Sequence, residues 1–220
     1  MARAPQFKSS PLNSNAQPVT RLASDSRSAQ LKRKIEAGET FDVAILNPPV
    51  LEALIKQGKI VAGSRAEIGR AGLGVAVRMG AAKPDISSVE AFKQAMLAAA
   101  SVAFPGEGAS GIYFVNLIDR LGIAAQMQPK LKPMAAEDTV EVVARGDADM
   151  VVVVASRIVG VPGIDLVGPL PAELQTMIGF AAGLGAAAKE VAAANALIRF
   201  LTSPEAQPTL RVRGVLPVAD

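Results

Sequence analysis

The stretch Pro105-Gly106-Glu107-Gly108-Ala109-Ser110-Gly111 carries the residue types best suited to chemistry in this chain. It follows SVAF, an apolar strand over 101–104, and opens GIYFVNLIDRL, a helix that Gly122 ends. Gly106, Gly108 and Gly111 let the backbone come close to a ligand. Ser110 sets a hydroxyl beside N–H groups that the first turn of a helix leaves without partners. Such a loop holds an oxyanion without any basic side chain, because the amides and the helix dipole supply the positive potential. The structural alternative is that Ser110 only caps its helix, and on the loop alone that role is favoured.

Three further strand-end or helix-start positions could contribute. Asn47 follows the apolar run FDVAIL and precedes Pro48, a position that suits an ordinary N-cap as well as a ligand contact. Glu137-Asp138-Thr139 opens another helix, where acidic residues complement the dipole and oppose an anion. Only the Thr139 hydroxyl and the backbone amides there are of use. Arg157 lies just after the valine run 150–154 and can hold a carboxylate or oxyanion bidentately, or sit solvated at the surface.

Composition removes whole classes of chemistry. The 220 residues contain no His and no Cys, which excludes Ser-His-Asp and Cys-His catalysis and thiolate or imidazole metal sites. Proton transfer is left to Asp, Glu, Lys or Tyr113, the single tyrosine. Net charge is +3 and aromatics make up 4%, too little of either for a nucleic-acid partner. No apolar run reaches the roughly 18 residues that a membrane span needs. The N-terminus, MARAPQFKSSPLNSNAQPVTRLASDSRS, is polar and has no apolar core of the signal-peptide kind.

The elements that must position these residues alternate. Residues 1–27 show no period and read as an irregular arm. Leu31 and Ile35 share one face of a helix that Ser28 caps and Gly38 ends. Strands are expected at 41–46, 72–77, 101–104, 130–134, 150–154, 164–168 and 177–184. A helix follows Asn47, another opens at the capping box Ser87-Ser88-Val89-Glu90, and further helices cover 138–145, about 187–201, and the stretch after Ser203-Pro204. Half of the chain is hydrophobic, ample for one large or two small α/β units. Strand-helix alternation predicts parallel sheets covered on both faces.

This order resembles a known family. LKRKIEAGETFDVAIL, the proline loop and LIKQGKI, then PDISSVEAFKQAMLAAASVAF before GASGIYF, then VARGDADMVVVV, VPGIDLVGPLPAELQ and NALIRFLTSPEAQPTLRVRGV, are similar to the molybdate-binding-like periplasmic solute-binding proteins. The resemblance runs from about Leu31 to Val218. It implies the type II periplasmic-binding-protein fold, an α/β architecture of two lobes, each a mostly parallel sheet flanked by helices. One lobe would hold 28–77 and 169–220, the other 78–168, with crossings near 76–84 and 164–172.

The resemblance also implies a site and partners. A small anion, molybdate-like or a small carboxylate, would lie between the lobes. Ser110 and Gly111 match the second-lobe loop, Ser26 to Ser28 the first-lobe hydroxyl loop, and Asn47 the loop after FDVAIL. No cofactor is implied. The expected partner is the permease of an ABC importer, the expected state a monomer, and the expected compartment the periplasm. Residues 1–27 do not read as the strand, Ser-bearing loop and helix that open family members, so the first wall is expected to be altered. A tyrosine that closes the family's site would fall near Val152–Val153. A second expectation is an enzyme on the same scaffold, like the proteins of this group that isomerise aconitate. That chemistry needs a base near an acidic C–H and cations for the carboxylates, for which Glu107, Lys83, Arg157 and Tyr113 are available.

Overall fold

A computed structural model describes residues 28–218 of the chain. The strands are β1 (Val43–Leu46), β2 (Ala66–Arg78), β3 (Val102–Pro105), β4 (Leu131–Met134), β5 (Met150–Val154), β6 (Ile164–Pro169) and β7 (Met177–Leu184). The helices are α1 (Ser28–Glu36), α2 (Pro48–Lys56), α3 (Val89–Ala98), α4 (Ala109–Arg120), α5 (Ala124–Met127), α6 (Glu141–Ala144), α7 (Val191–Leu201) and α8 (Gln207–Val212). The arm expected over 1–27 lies outside the described residues.

Local signals explain most of these elements. All five residues of β5 are buried, as a run of valines between covered faces requires. In α3, Phe92, Ala95 and Met96 are buried at helical spacing. The cap of α3 is Ser88, whose hydroxyl accepts from Ala91 N at 3.1 Å. The expected pairing of Ser87 with Glu90 is absent, because Glu90 accepts from Gln94 instead. Replacing Ser88 by Ala should cost about 1 kcal/mol. Thermal denaturation should then show a midpoint about 2–4 °C lower.

The strand directions differ from those expected. β1 pairs β7, β7 pairs β2, and β2 pairs both β5 and β6, all antiparallel. Only β3 with β4 and β3 with β5 run parallel among the described residues. The fold is therefore mixed α/β, with a sheet flanked by helices, and not mostly parallel. The cause lies in β2. Alternation predicts parallel pairing only when successive strands join one sheet. Here β2 is 13 residues long and serves two ladders in turn. Ala66 to Gly72 pair with β7, and Leu73 to Arg78 pair with β5 and β6. The strand path is therefore continuous, in the order β1-β7-β2-β5-β3-β4. The switch between ladders falls between Gly72 and Leu73.

The larger core cluster runs across both ladders, from Val43 of β1, Phe180 of β7 and Ile198 of α7 through β2 to β3 and β5 with α3 and α4. A smaller one joins Ile35 of α1, Leu51 and Leu54 of α2, and Leu46 of β1. Phe104 at the end of β3 packs on Phe114 of α4 with ring centroids 5.5 Å apart, which fixes α4 against the strand end that precedes it. Among the described residues no helix is long and apolar enough to cross a membrane.

Candidate functional site

The Pro105–Gly111 loop is built by close backbone packing. Gly106 N donates to Met134 O at 2.8 Å, tying the loop to the end of β4. Gly108 is the N-cap of α4, at φ 92°, a left-handed-side conformation that favours glycine. A Cβ at Gly111 would stand 1.8 Å from Pro105 O, so glycine is required for α4 to start directly against β3.

This geometry removes the cap role weighed for Ser110. The helix starts at Ala109, and Gly108 holds the N-cap position without a side-chain cap. Ser110 is thus the second helical residue and not the cap. Its side chain is fully buried, and its Oγ has no hydrogen-bond partner among the described residues. The first intrahelical bond runs from Ile112 N to Gly108 O. The earlier amides of the turn point out of the helix start, as helix geometry dictates.

A second group of residues gathers at the starts of α1 and α2. Ser28 and Asn47 are both buried, and Asn47 N donates to Ser28 Oγ at 3.2 Å. Asn47 stands at the N-cap of α2, yet its side chain makes no cap. Pro49 has no N–H to offer, and the Val50 N–H goes to Asn47 O. The Asn47 amide therefore donates to Gly179 O of β7 at 3.2 Å. Ser26 lies outside the described residues.

A hollow of about 390 Å³ lies between α1 and the 106–107 loop, and Ser28, Asn47 and Ser110 are not among the residues that line it. Gln30 and Arg33 of α1 line one side, and Gly106, Glu107 and the 133–137 segment line the other. Arg33 Nη1 meets Glu107 Oε2 at 2.8 Å across it, both side chains more than half exposed. Such an exposed pair contributes under about 1 kcal/mol. Thr139 is fully buried and donates its hydroxyl to Ala135 O at 2.8 Å. Arg157 Nη2 donates to Ala136 O at 2.9 Å. Both therefore brace the 133–137 wall from behind. Val152 and Val153, where a site-closing tyrosine was expected, are buried in β5 opposite Val75 and Gly74.

The parts expected for an isomerase are not gathered. Glu107 is paired with Arg33. Tyr113 donates to Leu174 O at 2.8 Å. Lys83 donates to Leu166 O at 3.0 Å and lines a different hollow, with Arg78 and Asp149. Among the described residues no cluster of acidic side chains is arranged to hold a metal ion. Sequence reasoning missed Gln30 and Arg33. Gln30 precedes the apolar position Leu31 and Arg33 lies between Leu31 and Ile35, so helical spacing marks them as outward but does not say what they face.

Residues 12–215 match the family of bacterial extracellular solute-binding proteins, which carries the likeness upstream of the Leu31 limit expected from sequence. An aconitate isomerase of a Pseudomonas species is 33% identical over 189 residues, covering 86% of this chain and 72% of that one. The periplasmic molybdate-binding protein of Azotobacter vinelandii superposes with a TM-score of 0.73 at 19% identity, covering 87% of this chain and 85% of that one. The sulfate-binding protein of Mycobacterium tuberculosis gives 0.67 at 18%, covering 87% of this chain and 74% of that one. At such identities these structures establish the fold, that of the type II periplasmic binding proteins. The chain belongs to the bacterial extracellular solute-binding protein family.

Proposed function

We propose that this protein is the substrate-binding component of an ABC importer and captures a small oxyanion or small carboxylate in the cleft beside Ser110. Two lobes form the cleft. One comprises 28–72 and 177–218, the other 73–169, with 170–176 as the return crossing. The observation that carries the reading is the Ser110 hydroxyl, buried and without a partner, in the first turn of the twelve-residue helix α4. A buried hydroxyl left unpaired costs about 1–3 kcal/mol. That cost is offset when an anion accepts from it and from the adjacent amides, with the helix dipole favouring the negative charge. Ser28 and Asn47 supply the opposite wall. Thr139 and Arg157 hold the 133–137 wall in place. The protein works in the periplasm, as a monomer, with the importer's permease as its partner.

The test is a thermal-shift panel of molybdate, sulfate, and di- and tricarboxylates. A true ligand at a hundred times its dissociation constant should add about 2.7 kcal/mol of stability. For a chain of this size the midpoint should rise by about 5–10 °C. No shift with any member would reject the reading.

A second reading, an enzyme that isomerises aconitate, is favoured by the 33% identical relative. Glu107 is then the base, released from Arg33 as Arg33 turns to a substrate carboxylate. Incubation with one geometric isomer of aconitate, followed by an assay for the other, separates the readings. Stabilisation by aconitate without turnover leaves binding alone.

A further inference from the structure

We infer that Gln175 and Tyr113 are positioning residues that couple the anion-binding helix to the crossing between the lobes, an inference that rests on the two-lobe reading above. The crossing strand changes ladders between Gly72 and Leu73. At that step the side-chain amide of Gln175 pairs with the backbone of Leu73 in both directions. Leu73 N donates to Gln175 Oε1 at 2.8 Å, and Gln175 Nε2 donates to Leu73 O at 2.9 Å. The amide thus occupies the place of a neighbouring strand where β7 has left β2 and β5 has just begun. Gly72 leaves the space for it, since a Cβ there would stand 3.0 Å from the Gln175 amide. Thr176 N also donates to Gln175 Oε1 at 3.0 Å, which holds the side chain over its own backbone.

The neighbouring residue carries the second half. Tyr113 OH donates to Leu174 O at 2.8 Å, immediately before Gln175. Tyr113 lies one helical turn beyond Ser110 on α4. Arg120, stacked 5.6 Å from the Tyr113 ring, holds the ring from the following turns. A rigid path therefore runs from the start of α4 through Tyr113 and Leu174 to Gln175, and from there to Leu73. A ligand that pulls on the first turn of α4 is felt at the crossing. Conversely, the amide clamp sets how often the cleft stands in its binding-competent geometry, and so the apparent affinity.

The chain lends itself to the test, because it has no Cys, no Trp and one Tyr. Nitroxide labels on Lys56→Cys and Asn116→Cys report the distance between the lobes without ligand, by electron-spin distance measurement. The parent should give one narrow distribution. Gln175→Leu and Tyr113→Phe should each broaden it, and Gly72→Ala, which displaces the amide while leaving Gln175 in place, should reproduce the Gln175→Leu result. Each hydrogen bond lost should weaken anion binding by about two- to tenfold. Tyr113 emission in the otherwise unmodified chain should change on ligand addition, and Gln175→Leu should diminish that change. Unchanged distance distributions in folded Gln175→Leu and Tyr113→Phe would overturn the coupling. Failure of every anion to bind the parent would instead reject the functional reading, and the ligand-free distances would still decide the coupling.

Discussion

Ser110→Ala is expected to bind the anion about 10- to 100-fold more weakly and, at the same time, to be more stable than the parent. Both effects follow from one hydroxyl. In the ligand-free protein Ser110 Oγ is buried and has no partner among the described residues. Removing an unsatisfied buried hydroxyl returns part of its desolvation cost, about 1 kcal/mol, or about 2–4 °C in the thermal midpoint. In the complex the same hydroxyl donates to a charged acceptor, a bond worth about 1.5–3 kcal/mol. Its loss sets the fall in affinity. Ser88→Ala is the matched control, because Ser88 does cap a helix. It should lose stability and leave affinity unchanged. Calorimetric titration beside thermal denaturation of both variants checks this. A Ser110→Ala protein that is less stable and binds normally would return Ser110 to a structural role.

The largest loss of stability is expected from Gly111→Ala. The new Cβ would lie 1.8 Å from Pro105 O and 2.9 Å from Pro105 C. Both are backbone atoms at the end of β3, so no side chain can swing away to make room. The start of α4 must shift off the strand, and with it Gly108, Ser110 and the Phe104–Phe114 contact. Overpacking of this kind costs at least about 3 kcal/mol. Binding should be lost, because the amides and the Ser110 hydroxyl no longer converge. Gly122→Ala separates this clash from a general cost of losing glycine. At φ 68° an alanine there is strained, but its Cβ meets nothing within 4 Å. That variant should lose about 1 kcal/mol and keep its affinity. Urea denaturation of the pair measures the difference, and equal losses would show that the Pro105 contact is yielding.

The amino-acid sequence by itself determined what depends on a few consecutive residues. MVVVV became β5 and MIGFAAGL became β7 with the expected bounds, because a short apolar run between turn residues has few other ways to bury itself. Gly122 follows α4 and takes the left-handed conformation expected of a helix stop, at φ 68°. The Gly-rich loop before α4 and the family resemblance were legible for the same reason. The tertiary structure decided everything that joins distant residues. Gln175 finds Leu73 from 102 positions away, and Asn47 finds Gly179 from 132. Neither amide has a local signature, since a side chain pairs with whichever backbone group the fold brings near. The antiparallel ladders arose because one long strand serves two of them, a matter of which strands meet and not of what each is made of. Ser110 lost its expected cap role to Gly108 by a shift of two residues in the helix start. A Pro105 carbonyl pressed against Gly111 sets that start, and spacing along the chain does not reveal the contact.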